Sequence, residues 1–292
     1  MGNVLIDVVL PLPLPLAFIM FTLGLGLKIV DFTRVFAMPK AFVLGFVNQM
    51  VILPIVGFGM AIALGLPPEL AVGMLILALS PGGVTSNVLT KIGDGNTPLS
   101  ISLTAVVTII SAFTLPLIVA FGVRYFMGAD TPEVNTLALS VTMFLLTVVP
   151  VVLGMILTAL MPSLVGRVSR VLGVAAVVLF AVIVLAAIAT NLDVLFANLA
   201  LLMPATVVML LVMLVIGLST AKMAGLPARD ATTVAIETGV QNGTLGIAVG
   251  AILAGQLLGS SEGFSAFALP SAMYGIVMYL AVPFAIWRRS KH

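Results

Sequence analysis

The chain has no cysteine, one histidine and one tryptophan in 292 residues, and only 8% of it is charged. Each shortage excludes something. Without cysteine there is no disulfide framework and no thiol chemistry, and the redox compartment leaves no mark. The single histidine, His292, stands at the extreme terminus, and no paired aspartates fall in apolar segments. An intramembrane enzyme therefore lacks the nucleophile–base pair or metal ligands it would need. The charged fraction is about a third of the roughly 25% usual in soluble domains. A net charge of +2 is too small to argue for nucleic acid.

What is plentiful is hydrocarbon. With 62% hydrophobic residues, the chain reads as an all-α polytopic membrane protein, one integrated domain over residues 1–292. No lysine or arginine precedes the first apolar run and no small-residue cleavage site follows it, so that run is expected to be a retained span. "LPLPLPL", residues 10–16, is expected to make its start distorted or re-entrant, because each proline removes a backbone donor.

About 20 apolar residues cross a bilayer. Nine such segments are expected, near 10–28, 41–64, 68–90, 99–123, 135–160, 169–190, 197–221, 229–256 and 265–287. Nine crossings put the termini on opposite sides. The basic end "IWRRSKH", following interfacial Trp287, is expected in the cytoplasm by the positive-inside rule. Alternation then places Lys28, Arg34, Lys40, Lys91, Arg167, Arg170, Lys222, Arg229, Arg288, Arg289 and Lys291 inside, and only Arg124 outside. Asp7, Glu69, Asp130, Glu133, Asp193 and Glu262 fall outside. The amino terminus is expected in the periplasm of a cell whose inner membrane holds the protein.

Two spans carry glycines and polar groups at mid-membrane depth: "ALSPGGVTSNVLT" (78–90) and "AIETGVQNGTLG" (235–246). Either alone reads equally as a kinked helix, since Gly and Pro are common in spans. Their positions say more. They are the third and eighth spans, each followed by one more helix. A five-helix unit that repeats, with the opening helix of the first copy lost, puts them in corresponding places with opposite orientations. Paired interrupted segments in inverted halves point to the binding site of a secondary transporter. A passive channel would also accommodate polar spans, and saturable uptake separates the two.

Glu237 sits in the second interruption with no basic residue expected near it. An ionised carboxylate there costs several kcal/mol unless something pairs with it. A protonated, hydrogen-bonded acid or a proton relay are the alternatives to a bound cation. The other oxygen donors favour the cation: Ser86 and Asn87 in the first interruption, Ser100 and Thr104 at i and i+4 on the next helix, Gln49 in "FVNQM", and Gln241 one helical turn beyond Glu237. Hard, mostly neutral oxygens with a single acid suit sodium rather than a tightly held divalent ion or a soft metal. Each hydroxyl taken singly reads as helix packing.

"SPGGVTSNV", then Ser100 and Thr104, together with "ETGVQN", resembles the bile acid:sodium symporter family. The likeness runs from about residue 10 to 288. The resemblance implies two interrupted helices crossing at the centre of a core domain, about 37–126 and 196–288, beside a panel of about 1–30 and 134–190. It implies two sodium sites, one at Ser86, Asn87, Ser100, Thr104 and Glu237, the other at Gln49, Glu237 and Gln241 with backbone carbonyls of Thr238 and Val240. The chain is expected to start at the second of the ten spans common in bacterial relatives, which makes the panel smaller. The family implies cotransport of a small organic anion, such as a bile acid, pantoate-like or keto acid, with sodium by alternating access. Half-helices starting near Thr85 and Asn242 present free N–H groups to such an anion. The rival is a proton-coupled carrier of related fold. The expected partners are the solute, sodium and the lipid bilayer, with no nucleic acid and no obligate protein partner.

Overall fold

A computed structural model describes residues 13–259 and 265–291. Asp7, Glu262, His292 and the start of "LPLPLPL" lie outside the described residues. Eleven helical segments organise the rest. They are α1 (Pro13–Leu25), α2 (Pro39–Ala63), α3 (Pro68–Leu79), α4 (Val84–Ile92) and α5 (Thr97–Met127). They continue with α6 (Thr136–Leu160), α7 (Pro162–Ala189), α8 (Leu192–Met223), α9 (Ala228–Gly239), α10 (Gly243–Leu258) and α11 (Ala266–Arg289). Among the described residues six helices are long and apolar enough to cross a membrane, or eight if each of two bent pairs is one span.

The first span departs from expectation. Its helix stops at Leu25, where Gly26 and Leu27 N–H groups turn back to Leu23 and Gly24. The chain then bends 79° into a short helical stretch running to Phe36. Lys28 N–H donates to Asp31 Oδ2 at 2.7 Å and starts that stretch. Ser102 of α5 holds it by donating to Asp31 O at 2.6 Å. Apolar length alone does not reveal this bend.

The two interrupted segments begin alike. Gly65 (φ +58°) and Gly225 (φ +67°) take the left-handed conformation that ends the preceding helix. The next N–H reaches five residues back, Leu66 to Ala61 O and Leu226 to Ala221 O. Pro67 and Pro227 then lead into α3 and α9, each 12 residues long. α3 ends before Ser80-Pro81-Gly82-Gly83, and α4 leaves at 58° to it. α9 ends at Gly239, and Val240-Gln241-Asn242 lead to α10. The breaks touch, with Asn242 N–H donating to Pro81 O at 2.8 Å. The pairs run in opposite directions, since Asp94 just past α4 meets Arg229 at the start of α9.

α2 has its own local irregularity. Pro54 has no N–H for the carbonyl four residues back, and over Asn48–Ile52 the helix widens to a π turn, with Leu53 N–H reaching Asn48 O. Such turns are frequent at functional sites. Here it leaves Asn48 and Gln49 buried.

α1 packs on α6 and α7, and the α1–α6 contact depends on two glycines. A Cβ on Gly24 would lie 2.2 Å from Val151 O, and one on Gly154 2.4 Å from Phe21 O. Small residues let spans approach this closely. Gly154→Val is expected to destabilise the protein by about 1–3 kcal/mol, the usual cost of overpacking. Gly59→Val serves as the control, because nothing lies within 4 Å of a Cβ there. Thermal unfolding in detergent measures both; equal melting temperatures would contradict this close contact.

Candidate ion and solute site

Glu237 is the tenth residue of α9; the tenth of α3 is Leu77. Only one of the two breaks therefore carries an acid at that position. The Glu237 side chain is fully buried, and three neutral side chains donate to its carboxylate. Ser100 Oγ donates to Oε1 at 2.5 Å, Thr104 Oγ1 to Oε2 at 3.1 Å, and Gln49 Nε2 to Oε2 at 3.3 Å. Gln49 Nε2 also donates to Glu237 O at 2.5 Å. Ser100 Oγ lies 2.6 Å from Asn87 Oδ1, which brings Asn87 into the same cluster. Ser86 Oγ donates to Gly83 O at 2.8 Å and lies beside the carboxylate across Gly82.

Helices α2, α4, α5 and α9 thus bring Gln49, Ser86, Asn87, Ser100, Thr104 and Glu237 together. Two placements are corrected. Ser86 and Asn87 lie on the first turn of α4, past the interruption, because the helix restarts at Val84. Gln241 does not continue the helix of Glu237, which ends at Gly239. It lies in the connection between α9 and α10, with Nε2 donating to Thr238 O at 2.9 Å. Thr238 turns its side chain toward Gly217 of α8, and Val240 is buried with its N–H on Ile236 O.

The chemistry of the donors fits a hard cation. Gln49 Oε1, Thr238 Oγ1 and Gln241 Oε1 are buried with no hydrogen-bond partner. A buried polar atom left unpaired costs about 1–3 kcal/mol. Both glutamine amides spend their N–H groups on backbone carbonyls and leave oxygen over. Together with the carboxylate, this excess of oxygen suits an alkali ion.

Asn242 caps α10, its side chain accepting from Leu245 N–H at 3.2 Å. Its Nδ2 lies 4.0 Å from Met20 Sδ of α1. Thr85 sits half-buried on the first turn of α4. A Cβ on Gly83 would lie 3.6 Å from the Asn242 side chain, so the starts of α4 and α10 are adjacent and α1 faces them.

Two contributors escaped the sequence reading. Gly82 is where the cluster closes: a Cβ there would stand 2.6 Å from Glu237 Oε2, 3.0 Å from Ser86 Oγ and 3.3 Å from Thr104 Oγ1. The "PGG" run carried that signal, though it read only as a kink or interruption of the helix. Tyr274 of α11 donates its hydroxyl to Gly239 O, holding the end of α9; no local pattern marks it.

A model described as the Sodium Bile acid symporter family matches residues 13–198. An uncharacterized sodium-dependent transporter of Bacillus subtilis, YocS, is 29% identical over 231 residues, 79% of this chain and 70% of its own. A probable sodium/metabolite cotransporter of Arabidopsis thaliana chloroplasts, BASS1, is 28% identical, covering 93% of this chain and 65% of its own. The ileal sodium/bile acid cotransporter of Oryctolagus cuniculus is 31% identical, covering 82% and 69%. The chain spans about two thirds of the length of these relatives.

Proposed function

Since the chain belongs to the sodium bile acid symporter family, whose members are multi-pass, sodium-dependent transporters and not enzymes, we propose that the Glu237 cluster holds the sodium that drives import of a small organic anion. The observation that carries this is a fully buried carboxylate met by neutral side-chain donors, one of which, Gln49, keeps a buried oxygen without a partner, as does Gln241 three residues past Thr238 in the same break. Ser86, Asn87, Ser100, Thr104 and Glu237 form the first sodium site. Gln49, Gln241 and Glu237, with the carbonyls of Thr238 and Val240, form the second.

The anion lies where α4 and α10 begin, against α1, with Thr85 and Asn242 as its polar contacts. Helix starts favour negative charge there. Sodium orders the breaks first and raises affinity for the anion, and the anion raises affinity for sodium by the same factor. Two sodium ions with one monoanion carry one net charge, worth about 2.3 kcal/mol per 100 mV.

Taken as one crossing, the α9–α10 pair is the eighth in chain order and brings the total to nine. The shared Gly-Leu-Pro lead-ins, the equal lengths of α3 and α9 and their opposite directions support an inverted repeat. The panel is α1, α6 and α7, and the core is the remainder. The carboxyl terminus is cytoplasmic and the amino terminus periplasmic in a cell inner membrane; reporter fusions active on one common side would contradict this.

Proteoliposomes separate sodium from proton coupling. Uptake from a panel of bile, keto and hydroxy acids is expected to follow an inward sodium gradient and to ignore a pH gradient. Uptake driven by pH without sodium would establish the proton-coupled carrier instead. The two sites also separate. Thr104→Ala is expected to weaken the first site and Gln241→Ala the second, each by about 1–3 kcal/mol for a lost neutral contact. The measured sign is a lower sodium affinity and a Hill coefficient falling toward one. Wild-type sodium dependence in both variants would make these side chains packing groups.

A further inference from the structure

Three lines of polar residues lead away from the buried cluster at four-residue spacing, one on each of three neighbouring helices. On α4 the line is Ser86, Thr90 and then Asp94 just past the helix. On α5 it is Thr104, Ser100 and the capping Asn96. On α9 it is Glu237, Thr233 and Arg229. Residues four apart share a helix face.

The lines touch along their length. At the inner end Ser100 and Thr104 meet Glu237. Midway, Asn96 N–H donates to Thr233 Oγ1 at 2.7 Å. A Cβ on Gly95 would lie 2.8 Å from Thr233 Oγ1 and 2.9 Å from Thr90 Cγ2, so both threonines flank one glycine. At the outer end Arg229 Nη2 donates to both Asp94 oxygens at 2.7 Å. Burial falls in the same order: Ser86, Thr90, Thr233 and Glu237 are buried, Asp94, Asn96 and Asp230 half-buried, and Arg229 exposed.

Thr90 is the telling residue. Its hydroxyl is fully buried and has no hydrogen-bond partner. Packing alone would be served better by valine, which has the same shape and no polar atom to desolvate. Charges of both signs stand at the mouth. Asp230 accepts from Asn96 Nδ2 at 2.8 Å, while Arg288 donates to Thr232 Oγ1 at 2.9 Å and to Ala228 O at 3.2 Å. Two carboxylates, Asp94 and Asp230, thus accompany two guanidinium groups, Arg229 and Arg288.

We propose that sodium leaves the Glu237 cluster through the interior of the core along this seam, with Thr90 and Thr233 forming a transit site beneath the Asp94–Arg229 pair. The side facing α1, where Asn242 meets Met20, is left to the anion. Ion and anion then part by different routes on the way to the cytoplasm. The inference rests on the sodium reading of the cluster and adds the path.

The absence of native cysteine makes the test direct. Thr90→Cys and Thr233→Cys, each alone, are exposed in proteoliposomes to methanethiosulfonate ethylammonium from the side of the carboxyl terminus. Both are expected to react at least tenfold faster than Ala112→Cys, at a position buried in α5. Sodium, but not choline, is expected to slow them at least fivefold. Reaction no faster than at Ala112→Cys, or indifference to sodium, would overturn the route. Thermal melting of the wild-type protein in sodium and in choline separates the two ideas. Sodium stabilisation with both cysteines unreactive defeats the route alone. Fast reaction at both, with no stabilisation and no protection by sodium, defeats the sodium reading beneath it.

Discussion

Glu237→Ala is expected to abolish stabilisation by sodium while leaving the protein folded. The carboxylate is the one charged group in the cluster, and it belongs to both proposed sites. At an effective dielectric of 20 a unit charge pair 4 Å apart is worth about 4 kcal/mol, roughly a thousandfold in affinity. In choline the variant should melt no lower than the wild type, because it no longer buries a charge that costs several kcal/mol. Glu237→Gln, which keeps the shape and loses the charge, should behave the same way. The measurement is the melting temperature of purified protein across a sodium titration balanced with choline. A full sodium shift in Glu237→Ala would sink the assignment.

Gly82→Ala should be nearly as damaging, although it adds a single methyl group. The new Cβ would stand 2.6 Å from Glu237 Oε2, closer than any real contact of that kind, and the atom it meets is the free end of a side chain. The carboxylate therefore moves and the backbone stays. Gly82 has no positive φ among the described glycines, so alanine adds no backbone strain. The expected outcome is a folded protein with sodium affinity lowered at least tenfold, about 1.4 kcal/mol. Melting in choline reads the fold and melting in sodium reads the site. Unchanged sodium affinity would mean that the cation does not approach Glu237 from the Gly82 side.

Much of this site can be read from residue types. "SPGG", "ETGVQN" and the Ser100–Thr104 spacing each carry local chemistry, and a lone acid in apolar sequence demands a partner. Gln49 was readable as an oxygen donor; the π turn that buries it follows from Pro54. The bend after Leu25 was not readable, because the stretch beyond it is held by Ser102, far away in sequence. Nor was the junction of Gly24 with Gly154, which depends on α1 and α6 meeting face to face. The seam is an intermediate case. Its spacing of four is visible in each helix alone, yet it means little until the fold sets the three helices side by side.

Equilibrium binding of ²²Na⁺ to the purified wild-type protein, with Glu237→Ala alongside, tests the central claim most directly. The account predicts saturable binding approaching two ions per chain, displaced by unlabelled sodium and not by potassium, and lost in the variant. A wild-type isotherm with no saturable component, or one that Glu237→Ala leaves intact, would contradict it.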